Sequence, residues 1–356
     1  MTEPRPSLSG DKPTSRGRGW ARLFEGERAS ARQVLSAGGA RLRSAALLIA
    51  GAALARSRLA RAGALVLLVF GMVAVSADLL ASDLPVVCRL AGKVYVLPAL
   101  HPPPELQGRD YPTLRRELGP DDFAVPALVS YGPSRRAEGE ATLPPSLSTG
   151  HPFGTDAQGR DVFARVVHGT RTSLSFGLLT VLLFATVGLA VGALAAFYGG
   201  LFDSVVTRVV EIFSAFPTIF VVLAVRAMVP GATVVTLLVT IAAVRWTTVA
   251  RLVRAEVLLA RSQEYVLAAR ALGAGPFRVL GRHIGPNALA SAVVASTFGI
   301  AAVVLIDAQV SFLGFGVAGD APSWGALMGE ARSQPEAWWL LAFPGMALLA
   351  TLLSLH

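Results

Sequence analysis

The chain has 356 residues, 53% of them hydrophobic and 15% charged, with a mean hydropathy of +0.56. That composition excludes an ordinary soluble domain, which carries about 25% charged residues. The formal charge of +9 rests on arginine and does not point to nucleic acid: twelve of the 32 basic residues lie in the first 62 positions and six in 251–282, beside apolar runs. Positive charge beside membrane helices marks their cytoplasmic side.

Residues 1–61 form a basic N-terminal segment, too long and too polar for a cleavable signal peptide. Its apolar piece at 45–55 is too short to cross a bilayer and is expected along the cytoplasmic interface. About 20 apolar residues span the roughly 30 Å hydrocarbon core. Such runs fall at 62–82, 173–197, 205–229, 232–252, 288–307 and 338–356. The expected fold class is an all-α membrane protein with six transmembrane helices. With the N-terminus inside, helix 1 (62–82) delivers 83–172 to the outer face. Residues 173–356 then hold five further spans and a cytoplasmic loop at 259–286. Loop charges agree: Arg251, Arg254, Arg261, Arg270, Arg278 and Arg282 fall inside, and the outer loop 308–337 carries only Arg332.

Residues 98–152 contain eleven prolines, which rules out long helices and central strands there. An irregular, mostly extended segment is expected, with two short strands around "GKVYVLP". Cys88 is the only cysteine and makes no intrachain disulfide. His151, Asp156, Asp161 and His168 match no compact metal-ligand spacing and read as polar residues that cap turns ahead of the second span. Asp203 and Ser204 read as caps of the third span.

Within the spans, Glu211 and Arg245 each lie about two turns from the inner ends of helices 3 and 4. A charge at depth costs up to ~3 kcal/mol unless it is paired or wetted. The choices are an Arg245 that snorkels to the inner surface, or a Glu211–Arg245 pair at matched depth. Pro217 removes one backbone hydrogen bond in mid-span and should kink helix 3. Arg226, near the outer end, is expected to snorkel. These make Glu211, Pro217 and Arg245 the candidate path or gating residues.

The loop after span 4 reads "EYVLAARALGAGPFRVLGRHIGPN" (264–287). A short helix is expected over about 263–272, with Tyr265, Val266, Ala269 and Leu272 on one face. Gly273 suits its C-terminus, since glycine enters the left-handed region at little cost. "GP" at 275–276 starts a second helical piece. Ala268, Ala269 and Ala271 admit a close backbone, which suits a rigid helix offered to a groove on a cytoplasmic partner.

The spacing Ala268-Ala269, three residues, Gly273, nine residues, His283-Ile284-Gly285-Pro286 resembles the "EAA" loop of ABC-importer permeases. Two departures are Gly285 where leucine is usual and Leu267 in the glutamate position, which leaves Glu264 as the nearest acid. "HPFGTDAQGRDVFARVVHGTRTSLSFG" (151–177), "RVVEIFSAFP" (208–217) and "SFLGFGVAGDAPSWGALMGEAR" (311–332) resemble the C-type permeases of dipeptide, oligopeptide and nickel importers. "RAEVLLARSQEYVLAARALG" (254–273) leans toward the microcin C and oligopeptide subgroup. The likeness covers roughly 62–356, and the family's short tail beyond the last span is missing, so a truncated C-terminus is expected.

The resemblance implies a type I importer permease in the bacterial inner membrane. It implies a B-type permease partner, two ATP-binding subunits inside and a solute-binding protein outside. It also implies a peptide substrate, with nickel or another small solute as the alternative. Glu264, Tyr265, Ala268, Ala269, Leu272 and Gly273 become the expected ATPase-coupling residues. No cofactor is expected on this chain: Lys12 and Lys93 are followed by Pro and Val, so no phosphate-binding loop exists and ATP with Mg belongs to the partners. A stand-alone channel or ion-coupled carrier is the reading from another class. It is disfavoured because carriers place acids or histidines at mid-membrane and need no docking helix.

Overall fold

The computed structural model describes residues 57–136, 142–229, 231, 233–316 and 321–356. The piece at 45–55 lies outside these residues, as do Pro230 and Ala232 of the outer turn between spans 3 and 4. The chain divides into two compact units, Met1–Ala62 and Gly63–His356. The described part of the first is the opening turn of helix α1 (Arg58–Val75), where the Ser57 hydroxyl accepts from the Ala60 N–H at 3.2 Å.

In the second unit, α1 buries none of its residues, and Leu65, Leu68 and Met72 project outward as a lipid-facing surface would. Its last carbonyls, Ala74 and Val75, accept from Arg171 at 2.7 and 3.3 Å. A cation at a helix C-terminus satisfies orphan carbonyls and complements the dipole. Arg171 also pairs with Asp78 of the short helix α2 (Ala77–Leu80) at 2.8 Å.

The outer segment is more ordered than its proline content suggests. Strands β1 (Val87–Leu90) and β2 (Lys93–Val96) form a hairpin, and β3 (Phe123–Val125) adds to the other side of β1 in the order β2-β1-β3, all antiparallel. Both outer strands are edges, and the three-residue β3 ends directly before Pro126, where a missing N–H costs least. Cys88, Tyr95 and Ala124 share one face and pack on Leu84, Leu106 and Leu114, the last from helix α3 (Tyr111–Glu117). The opposite face shows Val94, Val96, Phe123 and Val125 to the outside. The two short strands expected around "GKVYVLP" form, and β3 and α3 add order beyond the irregular segment expected around them. Period-two alternation over two four-residue strands suffices to close a small core, and the prolines sit around it.

The bundle is built on α4 (Val162–Tyr198) and α7 (Val234–Ala260). Asp161 starts α4 by accepting from the Ala164 N–H at 2.7 Å, eleven residues before the apolar run at 173. At 37 residues, α4 is about 55 Å long, well beyond the hydrocarbon core. Gly188 and Gly192 lie where α4 meets α7. A Cβ on Gly192 would come within 2.5 Å of the Ala250 carbonyl oxygen, and one on Gly188 within 2.6 Å of the Trp246 oxygen. This small-xxx-small spacing lets two backbones touch, and van der Waals contact of that kind drives helix association in lipid. Gly192→Val is expected to lower the thermal midpoint of the detergent-purified protein, because overpacking costs ~1–3 kcal/mol. Gly71→Ala, which meets nothing within 4 Å, is the control. A midpoint equal to the parent's in Gly192→Val would show that the two helices part freely.

Helix α5 (Gly200–Ala215) and helix α6 (Thr218–Met228) replace the single third span and are bent by 77° at Phe216–Pro217. Phe216 is extended (φ −91°, ψ 123°), as steric pressure from a following proline favours, and Pro217 becomes the N-cap of α6. The expected kink is a full break. Helix α8 (Glu264–Ala271) follows α7. Helix α9 (Gly285–Val310) is entered through a turn at Pro276–Arg278 and a π-helical turn at Val279–Ile284. Helices α10 (Trp324–Glu330) and α11 (Trp339–Leu355) complete the chain. Among the described residues, four helices are long and apolar enough to cross a bilayer, five if α5 and α6 count as one span, and α11 is a shorter apolar helix of 17 residues.

Candidate functional site

Helix α8 is held from its inner side. Val266 is fully buried in the main core with Val257, Ala260, Val279 and Ile284. Arg261 donates to the Ala196 carbonyl at 2.8 Å, satisfying an orphan acceptor in the last turn of α4. The Arg270 guanidinium lies 5.4 Å from the centre of the Phe197 ring, a cation–π distance. Asn287 donates to the Tyr265 hydroxyl at 3.4 Å. The loop is thus fixed to the C-terminal end of α4 and the start of α9.

Its end is fixed too. Gly273 has φ +80°, its N–H donates to Arg270 O at 2.9 Å, and the Ala274 N–H donates to Ala269 O at 3.0 Å. This bond pair is the Schellman closure, with glycine at the left-handed position. The expected roles divide between two faces. Val266 and, in part, Ala269 turn inward, whereas Glu264, Tyr265, Ala268 and Leu272 are exposed. The expectation that Tyr265, Val266, Ala269 and Leu272 share one face is corrected: the helix is eight residues long, and its 3.6-residue period sends Val266 to the core and Tyr265 away from it. Leu272 is 89% exposed and Phe277 76%, an apolar pair that nothing in this chain covers among the described residues.

The path candidates are not brought together. Glu211 accepts from Arg208 at 2.7 Å, one turn back on α5, and makes no ion pair with Arg245. The Arg245 side chain is half-buried, and its Nε meets no hydrogen-bond acceptor among the described residues. The matched-depth pair fails because depth was counted along a straight helix, whereas the 77° break takes α5 off the line of α6. The ion pair that does join these spans is Asp203–Arg254, bidentate at 2.6 and 2.7 Å. Asp203 is therefore not a cap: Gly199 is the N-cap of α5, and the Ser204 hydroxyl donates to Gly200 O at 3.2 Å. Arg226 donates to Phe315 O at 2.8 Å and to Gly316 O, in the turn that follows α9.

Around the start of α4 lies a buried ionic cluster that spacing in the sequence does not reveal. Asp156 receives Arg160 Nε at 2.7 Å and, more closely, Arg165. Both arginines also reach Glu330 at the end of α10, Arg160 at 3.0 Å and Arg165 at 2.8 Å. Asp156 is fully buried and Arg165 is 2% exposed. Burial raises the Glu330 carboxyl above its ordinary range, and the attraction of Arg165 and Arg160 offsets only part of that. Trp339 Nε1 donates to Thr155 O at 2.9 Å and Trp324 Nε1 to Val166 O at 3.2 Å, so α10 and α11 are stapled to the start of α4. His151 pairs with the capping Asp161 at 2.7 Å and His168 with Ala81 O at 2.9 Å. Among the described residues, no three of His, Cys, Asp or Glu gather as metal ligands. Asp307, 7% exposed near the C-terminal end of α9, has no ion-pair partner among the described residues. It closes an apolar run in the sequence, where an acid reads as a boundary.

The profile of the family described as "Binding-protein-dependent transport system inner membrane component" matches residues 188–356, from the α4–α7 contact through the loop of α8 to the end. The chain is 37% identical over 214 residues to a putative peptide transport system permease protein of Brucella suis biovar 1, covering 60% of this chain and 71% of that one. It is 32% identical over 233 residues to a dipeptide transport system permease protein of Bacillus subtilis, covering 65% and 72%. It is 36% identical over 210 residues to a glutathione transport system permease protein of Pectobacterium atrosepticum, covering 59% and 69%. With its helices, its glycine-closed loop helix and these relatives in agreement, the chain belongs to the family of binding-protein-dependent transport system inner membrane components.

Proposed function

We propose that this chain is one membrane-spanning subunit of an ATP-driven importer of peptides, and that α8 is its contact with the ATPase. The observation that carries the reading is the build of α8. It is rigidly held on one side and closed at Gly273, and it exposes Tyr265 and Leu267, with Leu272 and Phe277 protruding after it and uncovered among the described residues. An apolar helix face of this kind is offered to a groove. Peptide as the solute rests on the names of the relatives.

In this reading the chain has six spans of the type I importer permease, with α11 as the sixth. Residues 1–61 are cytoplasmic, 62–82 hold the first span, 83–172 lie outside, and 173–356 form the core with its coupling loop at 259–286. A B-type permease pairs with it, two subunits bind ATP and Mg inside, and a solute-binding protein delivers the peptide from outside. ATP-driven closure of the inner subunits moves α8, and the bundle rocks around a path to which Glu211, Pro217 and Arg245 belong.

Uptake of a labelled tripeptide should be restored when this chain, with its partner subunits, is returned to a strain lacking peptide import. That uptake should stop when ATP is depleted. In the same cells, a cysteine at the exposed Ser134 should react with a membrane-impermeant maleimide on spheroplasts and one at Ser262 should not, against a Cys88→Ser background. Nickel uptake without peptide uptake would overturn the solute. The reverse labelling pattern would overturn the orientation.

A further inference from the structure

We infer that a cavity between α4, α5 and α7 holds the phosphate of a membrane phospholipid headgroup at the inner leaflet. The inference rests on the orientation proposed above, which puts the start of α5 and the end of α7 inside. The cavity has a volume of about 380 Å³, within the roughly 300–1,000 Å³ of sites that take small molecules.

Its walls divide into an apolar part and a polar part. Val206, Val210 and Ala250 supply the apolar wall, and Gly192 adds no side chain. Thr207, Glu211, Arg251 and Arg254 supply the polar part. Two of these four are already engaged: Arg254 by Asp203 and Glu211 by Arg208. The other two are not. Arg251 is exposed and has no ion-pair or hydrogen-bond partner among the described residues. The Thr207 hydroxyl oxygen is buried with no partner. What remains open is a guanidinium and a hydroxyl above an apolar wall, and that combination calls for an anionic acceptor attached to something apolar. Phosphate oxygens bind guanidinium through charge-assisted bonds.

The surroundings select a lipid as the source of that phosphate. α5 leaves α6 at 77°, and Leu201, Val205 and Ile212 on its surface are exposed. A helix with an apolar side and a charged side, set across the direction of its neighbour, is the build of one that lies in the interface. Basic pockets between helices on the cytoplasmic side are where anionic headgroups settle. The Glu211 carboxylate on the rim does not repel them as a bare charge, because Arg208 is 2.7 Å away.

The test uses the full chain purified with its partner subunits in mild detergent, with short-chain phosphatidylglycerol and phosphatidylethanolamine as probes. Arg251→Ala is expected to weaken binding about fivefold, the worth of one basic residue at such a site. Arg251→Lys should keep most of the affinity, and Thr207→Val should weaken it without changing charge. Should Arg251→Ala fail to accumulate, Thr207→Val carries the test alone. Unchanged binding in the recovered alanine and valine variants would overturn the inference. So would displacement of the lipid by millimolar inorganic phosphate, which would mark a free-anion site, or by the transported peptide, which would extend the path past Glu211 at the rim into the cavity. Because lipid binding in detergent does not depend on topology, and maleimide labelling reports topology separately, failure of this inference and failure of the proposed orientation are told apart.

Discussion

Replacing Gly273 by valine is expected to cut peptide uptake sharply while the permease still inserts and the ATPase still turns over. Gly273 sits at φ +80°, and a Cβ there meets nothing within 4 Å. The penalty is therefore conformational and not a clash. The left-handed region costs an L-residue roughly 1–2 kcal/mol, and a β-branched one is a genuine outlier there. Relief requires φ to turn negative, which breaks the bonds Gly273 N–H to Arg270 O and Ala274 N–H to Ala269 O. The chain from Leu272 to Pro276 then takes another course, and the exposed Leu272 and Phe277 lose their fixed relation to α8. Insertion should be spared because the spans on either side are untouched. Uptake should fall on the order of tenfold or more, since a displaced contact in a motion-coupled site is not repaired by binding energy elsewhere. Gly273→Asn should keep much of the activity, because asparagine enters the left-handed region more readily. Gly275→Ala should be neutral, as Gly275 has φ −67° and open space around it. Parent-level uptake by Gly273→Val at equal membrane abundance would refute the coupling role, as would an equal loss in Gly275→Ala.

Gly273 was legible because its signal is local: a helical period, then a glycine, then "GP" two residues on. Four of the six apolar runs, or five with α5 and α6 taken as one, were legible for the same reason, as composition over twenty residues determines whether a helix belongs in lipid. Contacts between distant residues were not. Glu330 lies 165 residues from Arg165, and nothing in either neighbourhood marks the other. Gly188 and Gly192 carry a readable four-residue spacing, but only the structure identifies α7 as the helix that closes on them. Pro217 was correctly read as an interruption, yet a proline alone does not distinguish a bend from a break. The extended Phe216 and the new helix start at Thr218 settle that. A Glu211–Arg245 pair, one of the two choices open in the sequence, supposes that the third span is a straight rod. With the rod broken, Asp203 and Arg254 take up the connection instead. Around Cys88 the short alternation of β1 and β2 was legible, whereas β3 and α3, set among the prolines, were not.

Arg165→Met at the start of α4 is expected to destabilise the protein more than any other single change in the ionic cluster. Removing one partner of a buried pair leaves an uncompensated charge and costs ~3–5 kcal/mol. At ~2–4 °C per kcal/mol for a chain somewhat smaller than this one, that is a fall in thermal midpoint on the order of 10 °C. Arg165 is the right residue to remove because it is 2% exposed and serves both Asp156 and Glu330. Asp156 would keep Arg160 and the N–H groups of Gln158 and Arg160, both at 2.9 Å, but would lose its closest cation. Glu330→Gln should behave differently. Burial holds the Glu330 carboxyl above the ordinary glutamate range, so its ionised form is the penalised one despite the arginines. The stability linked to a raised carboxyl is fully present below its unfolded value and is lost as pH rises through its folded value. Once ionised, Glu330 therefore contributes less than its distances suggest, and glutamine, which still accepts from Arg165, should cost little. The parent's midpoint should also gain on acidification relative to the Glu330→Gln variant, which has no such group to titrate. Melts of the detergent-purified protein between about pH 5 and about pH 8, where ordinary aspartates and glutamates stay ionised, measure both effects. Equal losses in Arg165→Met and Glu330→Gln, with the same pH dependence in parent and glutamine variant, would show that Glu330 is an ordinary ion-pair partner and not a buried acid held against its solvation.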